Sequence, residues 1–389
     1  MQVLGISLRL VNSEVSMKPI QMTDLVTQYN KLKPEIDAAI GGVLEHGIFI
    51  NGPEVKRFAS ELQTYMGVRH VIPCANGTDA LQIALMSLDI PAGSEIITPA
   101  FSYAAIVEVC SLLRLKPVFV DVDPNTFNMD VNHLESYITD KTKAIIPVHL
   151  FGQCANMNTI LRIASKHKLF VIEDNAQAIG AEYLMDNGIK KKSGTMSDVS
   201  TISFFPSKNL GCFGDGGAVC TDDDALAEKI RMIANHGQRV KYYHELVGVN
   251  SRLDSIQAAV LSVKLRQLDD FTEERRAVAQ RYNEAFKELE GIQVPSVDTQ
   301  STHVYHQYTL RILSGNVDSI RHELKERGVP TMVYYPEPLY KQKAYFEDLE
   351  FENTEMLCKQ VLSLPMGTDM SNEQVDYIIK QFTDIIKQK

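Results

Sequence analysis

The chain contains no tryptophan, no C-x-x-C pair and no apolar run approaching the length of a membrane span. Its six cysteines, Cys74, Cys110, Cys154, Cys212, Cys220 and Cys358, are scattered. That spacing argues against a metal site and fits reduced thiols in a cytoplasmic protein. A spanning helix needs about 20 mostly apolar residues, so no membrane association is expected. Val3 to Val11 is mixed apolar, with neither a basic flank nor a long apolar centre, so a signal peptide is not expected either. Positive charge is in deficit: 39 Lys and Arg against 49 Asp and Glu leave a formal net charge of −10. Nucleic-acid binding needs a basic face, so no nucleic-acid partner is expected. An anionic small substrate would need a pocket made locally basic by a few Arg or Lys.

What is present is ordinary for a globular protein: 389 residues, 44% hydrophobic and 23% charged, enough for two or three domains and a substantial core. Gly and Pro separate short apolar runs from helical stretches. Val71 to Cys74, Glu95 to Pro99, Pro117 to Asp121, Ala144 to His149 and Leu169 to Asp174 are near-continuous apolar runs. Such runs suit strands buried on both faces of a mainly parallel sheet, and their alternation with helices predicts an α/β layered domain. From about Leu261 the texture changes. A long charged helix is expected over Lys264 to Leu289, short strands over Tyr305 to Leu313 and a helix over Val317 to Arg327. A loop rich in Tyr and Pro (Tyr334 to Tyr345) and a terminal helix (Asn372 to Lys389) follow. The division expected is a large α/β domain over 17–260 and a smaller α+β domain over 261–389. Residues 1–16 form an extension to which no role is assigned, with Met17 a second possible start.

The most informative stretch runs from Ser203 to Gly217. Lys208 stands there between an apolar strand-like run (Val199 to Phe205) and a loop with four glycines. A lysine in a half-buried pocket loses part of its preference for the charged form, and a neutral amine can attack an aldehyde to form an imine, as pyridoxal phosphate (PLP) enzymes require. Three further segments share this setting. Asn76-Gly77-Thr78 follows a strand and opens a helix, where backbone N–H groups and the helix dipole favour a phosphate; Asn76 or Thr78 could equally serve as an ordinary cap. Asp174 ends a buried strand, where ligands of α/β sheets collect. Its carboxylate could keep a pyridinium nitrogen protonated, or it could cap the next helix, and Gln177 could bond the ring hydroxyl. Tyr103 follows another strand end and could stack on a flat ring, with Phe101 the competing candidate. Together these give a phosphate cradle, a stacking aromatic, a ring-nitrogen partner and an imine lysine, in chain order.

With these residues in place, the chain resembles the DegT/DnrJ/EryC1/StrS family of nucleotide-sugar aminotransferases from about Ile20 to near the C-terminus. The resemblance is carried by Gly47 to Val55, the Gly77-Thr78 turn, Asp174-Asn175-Ala176-Gln177, the lysine segment and Gly248 to Asp254. It implies a fold-type-I PLP-dependent transferase, a homodimer with active sites shared at the subunit interface. It implies that Gly77, Thr78, Ser203 and the neighbouring subunit's Asn250 hold the phosphate and that Tyr103 stacks on the ring. Asp174 would pair with the ring nitrogen, Gln177 would bond its hydroxyl and Lys208 would form the imine. Some relatives carry His at the lysine position and deoxygenate the sugar, so Lys208 argues for amino transfer. The segment from Phe204 to Cys212 and the later Tyr335 to Gln342 look closest to members that aminate C3 of a UDP-2-acetamido-3-keto-uronic acid for lipopolysaccharide O-antigen. There an Arg like Arg252 contacts the sugar acid, with Tyr334 and Tyr335 as further substrate contacts. Tyr334 and Tyr340 stand where relatives of that subgroup often carry His.

The reaction this implies moves an amino group from an amino acid, L-glutamate, to a keto-sugar nucleotide, with the cofactor alternating between PLP and its amine form PMP. Two alternatives are a C3 or C4 aminotransferase acting on a dTDP-, UDP- or GDP-linked keto-6-deoxy sugar, and a non-catalytic PLP-bound regulatory protein. The latter would be expected to lose Lys208 or to carry a DNA-binding appendage, and neither is seen. His303 and His306, at i and i+3 on an expected strand, would face opposite ways and make no metal pair. His236 reads as a loop residue and Cys212 as a small buried one.

Overall fold

The structure is a computed structural model and describes residues 18–388; the expected extension over 1–16 lies outside them. In chain order the first strands are β1 (His70–Cys74), β2 (Glu95–Pro99), β3 (Lys116–Val120), β4 (Thr142–Ile145) and β5 (Phe170–Asp174). A short hairpin of β6 (Glu182–Leu184) and β7 (Lys190–Lys192) follows, then β8 (Val199–Ser203) and β9 (Gly217–Thr221). Seven of these form one sheet in the order β1-β9-β8-β5-β4-β2-β3. All neighbours pair in parallel except β9, which runs antiparallel to both β1 and β8. The carboxyl ends of β1, β2, β5 and β8 therefore share one edge of the sheet. β2 is buried at all five positions, as expected of a strand covered on both faces. β9 escaped the sequence reading because Gly214, Gly216 and Gly217 disguise its start.

Helices flank the sheet: α1 (Leu25–His46), α2 (Pro53–Met66), α3 (Gly77–Ser87), α4 (Ala105–Leu112), α5 (Met157–His167), α6 (Asp224–Ala234) and α7 (Ser255–Leu265). α3 joins the lower sheet core through Ala80, Leu81, Ile83, Ala84 and Leu85, which pack with Ile72, Val199 and Val219. The charged helix expected over 264–289 is α8 (Leu268–Phe286), which starts four residues later, while Lys264 and Leu265 close the separate α7. Between them Gln267 leaves helical geometry (φ −106°, ψ 0°). The break lets Leu261 and Leu268 face one core, with Phe58 and Phe204, while Val278, Tyr282 and Phe286 face another.

That other core gathers an antiparallel sheet and three helices. After the short β10 (Gln238–Val240) and β11 (Tyr243–His244), the strands are β12 (Ile292–Gln293), β13 (Tyr308–Ile312) and β14 (Val361–Leu364). They pack with α8, α9 (Val317–Glu326) and α11 (Asn372–Ile386), while α10 (Glu352–Gln360) returns to the edge of β3. Strand β13 begins at Tyr308, not Tyr305, because Tyr305 takes a left-handed conformation (φ 45°) that interrupts extended pairing. His303 and His306 therefore lie ahead of the strand, and the alternation argument that separated them does not apply. Among the described residues no helix is long and apolar enough to cross a membrane.

Candidate active site

The turn from β1 into α3 makes the first part of the site. Asn76 does cap α3, its side chain accepting from Asp79 N–H at 2.8 Å, so the cap reading and the cradle reading describe one turn. The helix leaves its first-turn N–H groups at a positive dipole end. A Cβ on Gly77 would stand 2.8 Å from Ser203 Cβ, and one on Gly217 would stand 2.4 Å from the Asn76 carbonyl. The start of α3, the end of β8 and the start of β9 thus meet at a spacing only glycine permits. Half-buried Ser203 brings its hydroxyl to this junction, 3.2 Å from where a Gly77 Cβ would stand, and half-buried Thr78 follows in the first turn of α3.

Asp174 ends β5 and is buried. Among the described residues its carboxylate accepts one hydrogen bond, from Ala176 N–H at 3.0 Å. Burial pushes its pKa up, against the Ala176 bond and the charge of Lys208. This is a buried carboxylate short of partners, the environment a pyridinium N–H would complete. Its neighbour Glu173 points to the other face, as strand alternation requires, and is fully satisfied. It accepts from His149 Nε2 (2.8 Å), Gly194 N (2.8 Å), Met196 N (2.8 Å) and the Ser197 hydroxyl (2.9 Å). His149 Nδ1 accepts from Ala155 N–H, so its ring proton lies on Nε2. Asp174 caps no helix; turns follow it.

Lys208 rides on a tight loop closed at its base by Cys212 N–H donating to Phe204 O (2.9 Å) and at its tip by Lys208 N–H donating to Phe205 O (2.8 Å). Asn209 ties the loop to the Val304 carbonyl at 2.9 Å. The side chain is half-buried, and its amine makes no hydrogen bond or ion pair with the described residues. Burial pushes its pKa down to about 8, with Asp174 pulling the other way. The amine is desolvated and has no partner among the described residues.

The aromatics divide as their burial dictates. Phe101 is core, packed against Phe127, Phe151 and Tyr335, while Tyr103 is 60% exposed at the mouth. Tyr335 bridges the two, its ring 6.4 Å from that of Tyr103, and its hydroxyl accepts from Gln177 Nε2 at 3.3 Å. The Gln177 carbonyl accepts from Phe151 N–H at 2.9 Å, which aims its amide nitrogen at the site. Burial pushes the Tyr335 and Tyr334 hydroxyls up. Tyr340 faces inward instead: it is fully buried, donating to Glu355 and accepting from Phe351 N–H. Arg252 is half-buried and Asn250 exposed, and neither makes a hydrogen bond or ion pair with the residues above. Both adjoin Ser251, whose hydroxyl accepts from Ala75 N–H beside the start of α3.

Two buried groups near Lys208 were not placed there by the sequence reading. His306 is buried with Nδ1 unpartnered, and burial together with the Lys208 and Arg275 charges holds it well below its ordinary pKa. Arg275, fully buried on α8, donates to the carbonyls of Tyr305, His306 and Met366. Its charged pattern on an amphipathic helix gave no signal that it turned inward.

The residues at the strand-end edge fit PLP. The glycine-lined helix start suits its phosphate, the under-bonded Asp174 its ring nitrogen, and the desolvated Lys208 amine its aldehyde. Comparison with known proteins agrees. The profile of the DegT/DnrJ/EryC1/StrS aminotransferase family matches residues 30–383. A UDP-2-acetamido-2-deoxy-3-oxo-D-glucuronate aminotransferase of Pseudomonas aeruginosa is 46% identical over 94% of this chain and 100% of its own. A pleiotropic regulatory protein of Geobacillus stearothermophilus is 44% identical over 95% of this chain and 99% of its own. The crystal structure of S. venezuelae DesV in complex with a ketimine intermediate superposes with a TM-score of 0.91 at 38% identity, covering 95% of this chain and 99% of that one. The chain belongs to the DegT/DnrJ/EryC1/StrS aminotransferase family and is a PLP-dependent sugar aminotransferase.

Proposed function

We propose that this enzyme transfers the amino group of L-glutamate to C3 of a UDP-linked 2-acetamido-2-deoxy-3-keto-glucuronic acid, in the cytoplasm, for lipopolysaccharide O-antigen or a similar surface polysaccharide. The observation that carries amino transfer is the half-buried, unpartnered Lys208 amine facing Asp174 across the sheet edge. The sugar acid is supported by Arg252, a half-buried arginine with no partner among the described residues and suited to bidentate carboxylate recognition. The 46% identical relative named for a 3-oxo-glucuronate substrate supports it too. The enzyme acts as a homodimer, in which the partner subunit's Asn250 completes the phosphate site and Tyr334 and Tyr335 line the sugar. The large domain spans 17–260 and the small domain 261–389.

When bound, PLP supplies an aldehyde and an electron-withdrawing ring. The chain does the rest. Gly77, Thr78 and Ser203 would anchor the phosphate through N–H and hydroxyl donors. Asp174 would keep the ring nitrogen protonated, and that proton would supply the counter-charge its buried carboxyl lacks. Gln177 would donate from Nε2 to the ring hydroxyl, and Tyr103 would cover the ring face. Lys208 would hold the cofactor aldehyde through its Nζ, and that nitrogen, when free, would serve as general base and then general acid for the proton on the amino donor's Cα.

Lys208→Ala should abolish turnover together with the visible absorbance of lysine-bound cofactor. Full activity in that variant would remove the assignment. Assays across keto-sugar nucleotides should favour the uronate over 3- and 4-keto-6-deoxy sugars, and Arg252→Ala should raise KM for the uronate at least tenfold. Equal rates on uncharged sugars would move the reading to a 6-deoxy-sugar enzyme.

A further inference from the structure

Lys264 is a second lysine that the proposed mechanism does not use. It stands on α7 and is 1% exposed, among the buried apolar residues Val260, Leu261, Val263 and Leu265. Its Nζ donates to Gly211 O at 2.8 Å and lies 4.5 Å from the centre of the Phe213 ring. Seven residues earlier, on the same face of the helix, Gln257 accepts from Phe213 N–H at 2.8 Å and donates back to Phe213 O at 3.4 Å. Both side chains of α7 therefore grip one short segment, Gly211 to Phe213, directly after the Lys208 turn.

That segment is rigidly coupled to the turn. A Cβ on Gly211 would stand 2.3 Å from the Pro206 carbonyl oxygen, so Gly211 and Pro206 are in backbone contact across the loop that carries Lys208. Displacing the Gly211 carbonyl must displace the turn. A buried amine is costly unless its hydrogen bonds repay it, and an apolar side chain would fill this site without that cost. Burial pushes the Lys264 pKa down to about 8, yet both the ammonium and the neutral amine carry an N–H for Gly211, so the grip persists in either form.

We propose that Lys264 is a positioning residue for Lys208: by holding the Gly211 carbonyl it fixes the turn from which the Lys208 amine meets the cofactor aldehyde. This rests on the reading of Lys208 as the cofactor lysine. The test compares Lys264→Met, which keeps the volume and loses the donor, with Lys264→Gln, which keeps an N–H donor, and with Gln257→Leu, which removes the second grip. The first readout uses cofactor-free protein: the rate at which added PLP is captured by Lys208, followed by its visible absorbance, beside the unfolding temperature. The second is kcat and KM per cofactor-loaded site.

Lys264→Met is expected to keep its unfolding temperature or raise it, to capture PLP at least tenfold more slowly, and to lose kcat with KM within about twofold of the native value. Lys264→Gln should regain part of both rates, and Gln257→Leu should slow capture about threefold. Native capture and kcat in Lys264→Met, or losses that follow the unfolded fraction alone, would overturn the proposal. Should Lys264→Met fail to fold, native capture in Gln257→Leu would overturn it equally. Lys208→Ala is run alongside. If it still forms the lysine-type absorbance, the reading of Lys208 fails; if it does not and Lys264→Met behaves as native, only the role of Lys264 fails.

Discussion

The Lys208 amine should titrate about two orders of magnitude away from an ordinary lysine. Burial lowers its pKa to about 8, opposed by Asp174. At pH 7.5 about a quarter of the amine would then be neutral, against about one part in a thousand for a lysine at its ordinary value. The neutral amine is the nucleophile, so the rate of PLP capture by cofactor-free protein should rise with pH and level off with a midpoint near 8. Asp174→Asn is the informative perturbation. It removes the one group holding the pKa up and leaves the burial that pushes it down, so the midpoint should move below that of the native enzyme, even though cofactor affinity also falls. The assay is stopped-flow absorbance at several pH values, with rates normalised to each protein's plateau. A native rate that climbs without levelling through pH 9.5, or an Asp174→Asn midpoint at or above the native one, would refute the reasoning that desolvation sets the nucleophile and Asp174 restrains it.

The same burial has a stability cost. A fall from the ordinary 10.5 to about 8 corresponds to at most ~3.4 kcal/mol. This pKa is depressed in the folded state, so the penalty is full below pH 8 and fades as pH rises from 8 toward 10.5. Cofactor-free Lys208→Met should therefore unfold at a higher temperature than native protein at pH 6.5, with the gap closing by pH 10; a lower unfolding temperature at pH 6.5 would count against it. Glu173 behaves oppositely. Burial alone would raise its pKa, but the His149, Met196 and Gly194 bonds outweigh it and the pKa is lowered. Its contribution to stability is present above about pH 4.5 and lost as pH falls through the folded-state value, so Glu173→Gln should cost about 2–4 kcal/mol at pH 7 and less in acid, as thermal unfolding across pH would show. Gly77→Ala would drive a Cβ to 2.8 Å from Ser203 Cβ. Equilibrium dialysis should find PLP binding at least tenfold weaker, about 1.4 kcal/mol, with the fold intact by circular dichroism.

The parallel sheet was legible because strands buried on both faces must be apolar throughout, and the runs at Val71, Glu95, Ala144 and Leu169 all became strands. The candidate site residues were legible as a group because each lies at the end of a strand: Gly77 and Thr78 after β1, Tyr103 after β2, Asp174 at the end of β5, Ser203 at the end of β8. Parallel strands bring those ends to one edge, so a linear reading could assemble them. The antiparallel β9 was not legible, since glycines needed for close approach at Asn76 also erase the strand pattern. The break between α7 and α8 was hidden as well, because one amphipathic pattern continues through Arg266 and Gln267 and Leu261 and Leu268 on its two sides face one core.

The sequence by itself determined the candidate chemistry: a lysine in a glycine-rich loop, a carboxylate at a strand end and a capped helix start are local signals, each written within a few residues of its own segment. Only the tertiary structure decided which buried polar groups serve that chemistry. Tyr335 reaches Gln177 across 158 positions, Lys264 reaches Gly211 across 53, and Arg275 reaches the carbonyls ahead of β13 across about 30. A lysine or arginine on a helix reads as a solvated charge until the neighbouring elements close over it. Whether its cost in desolvation is met by a carbonyl depends on packing that no single segment encodes.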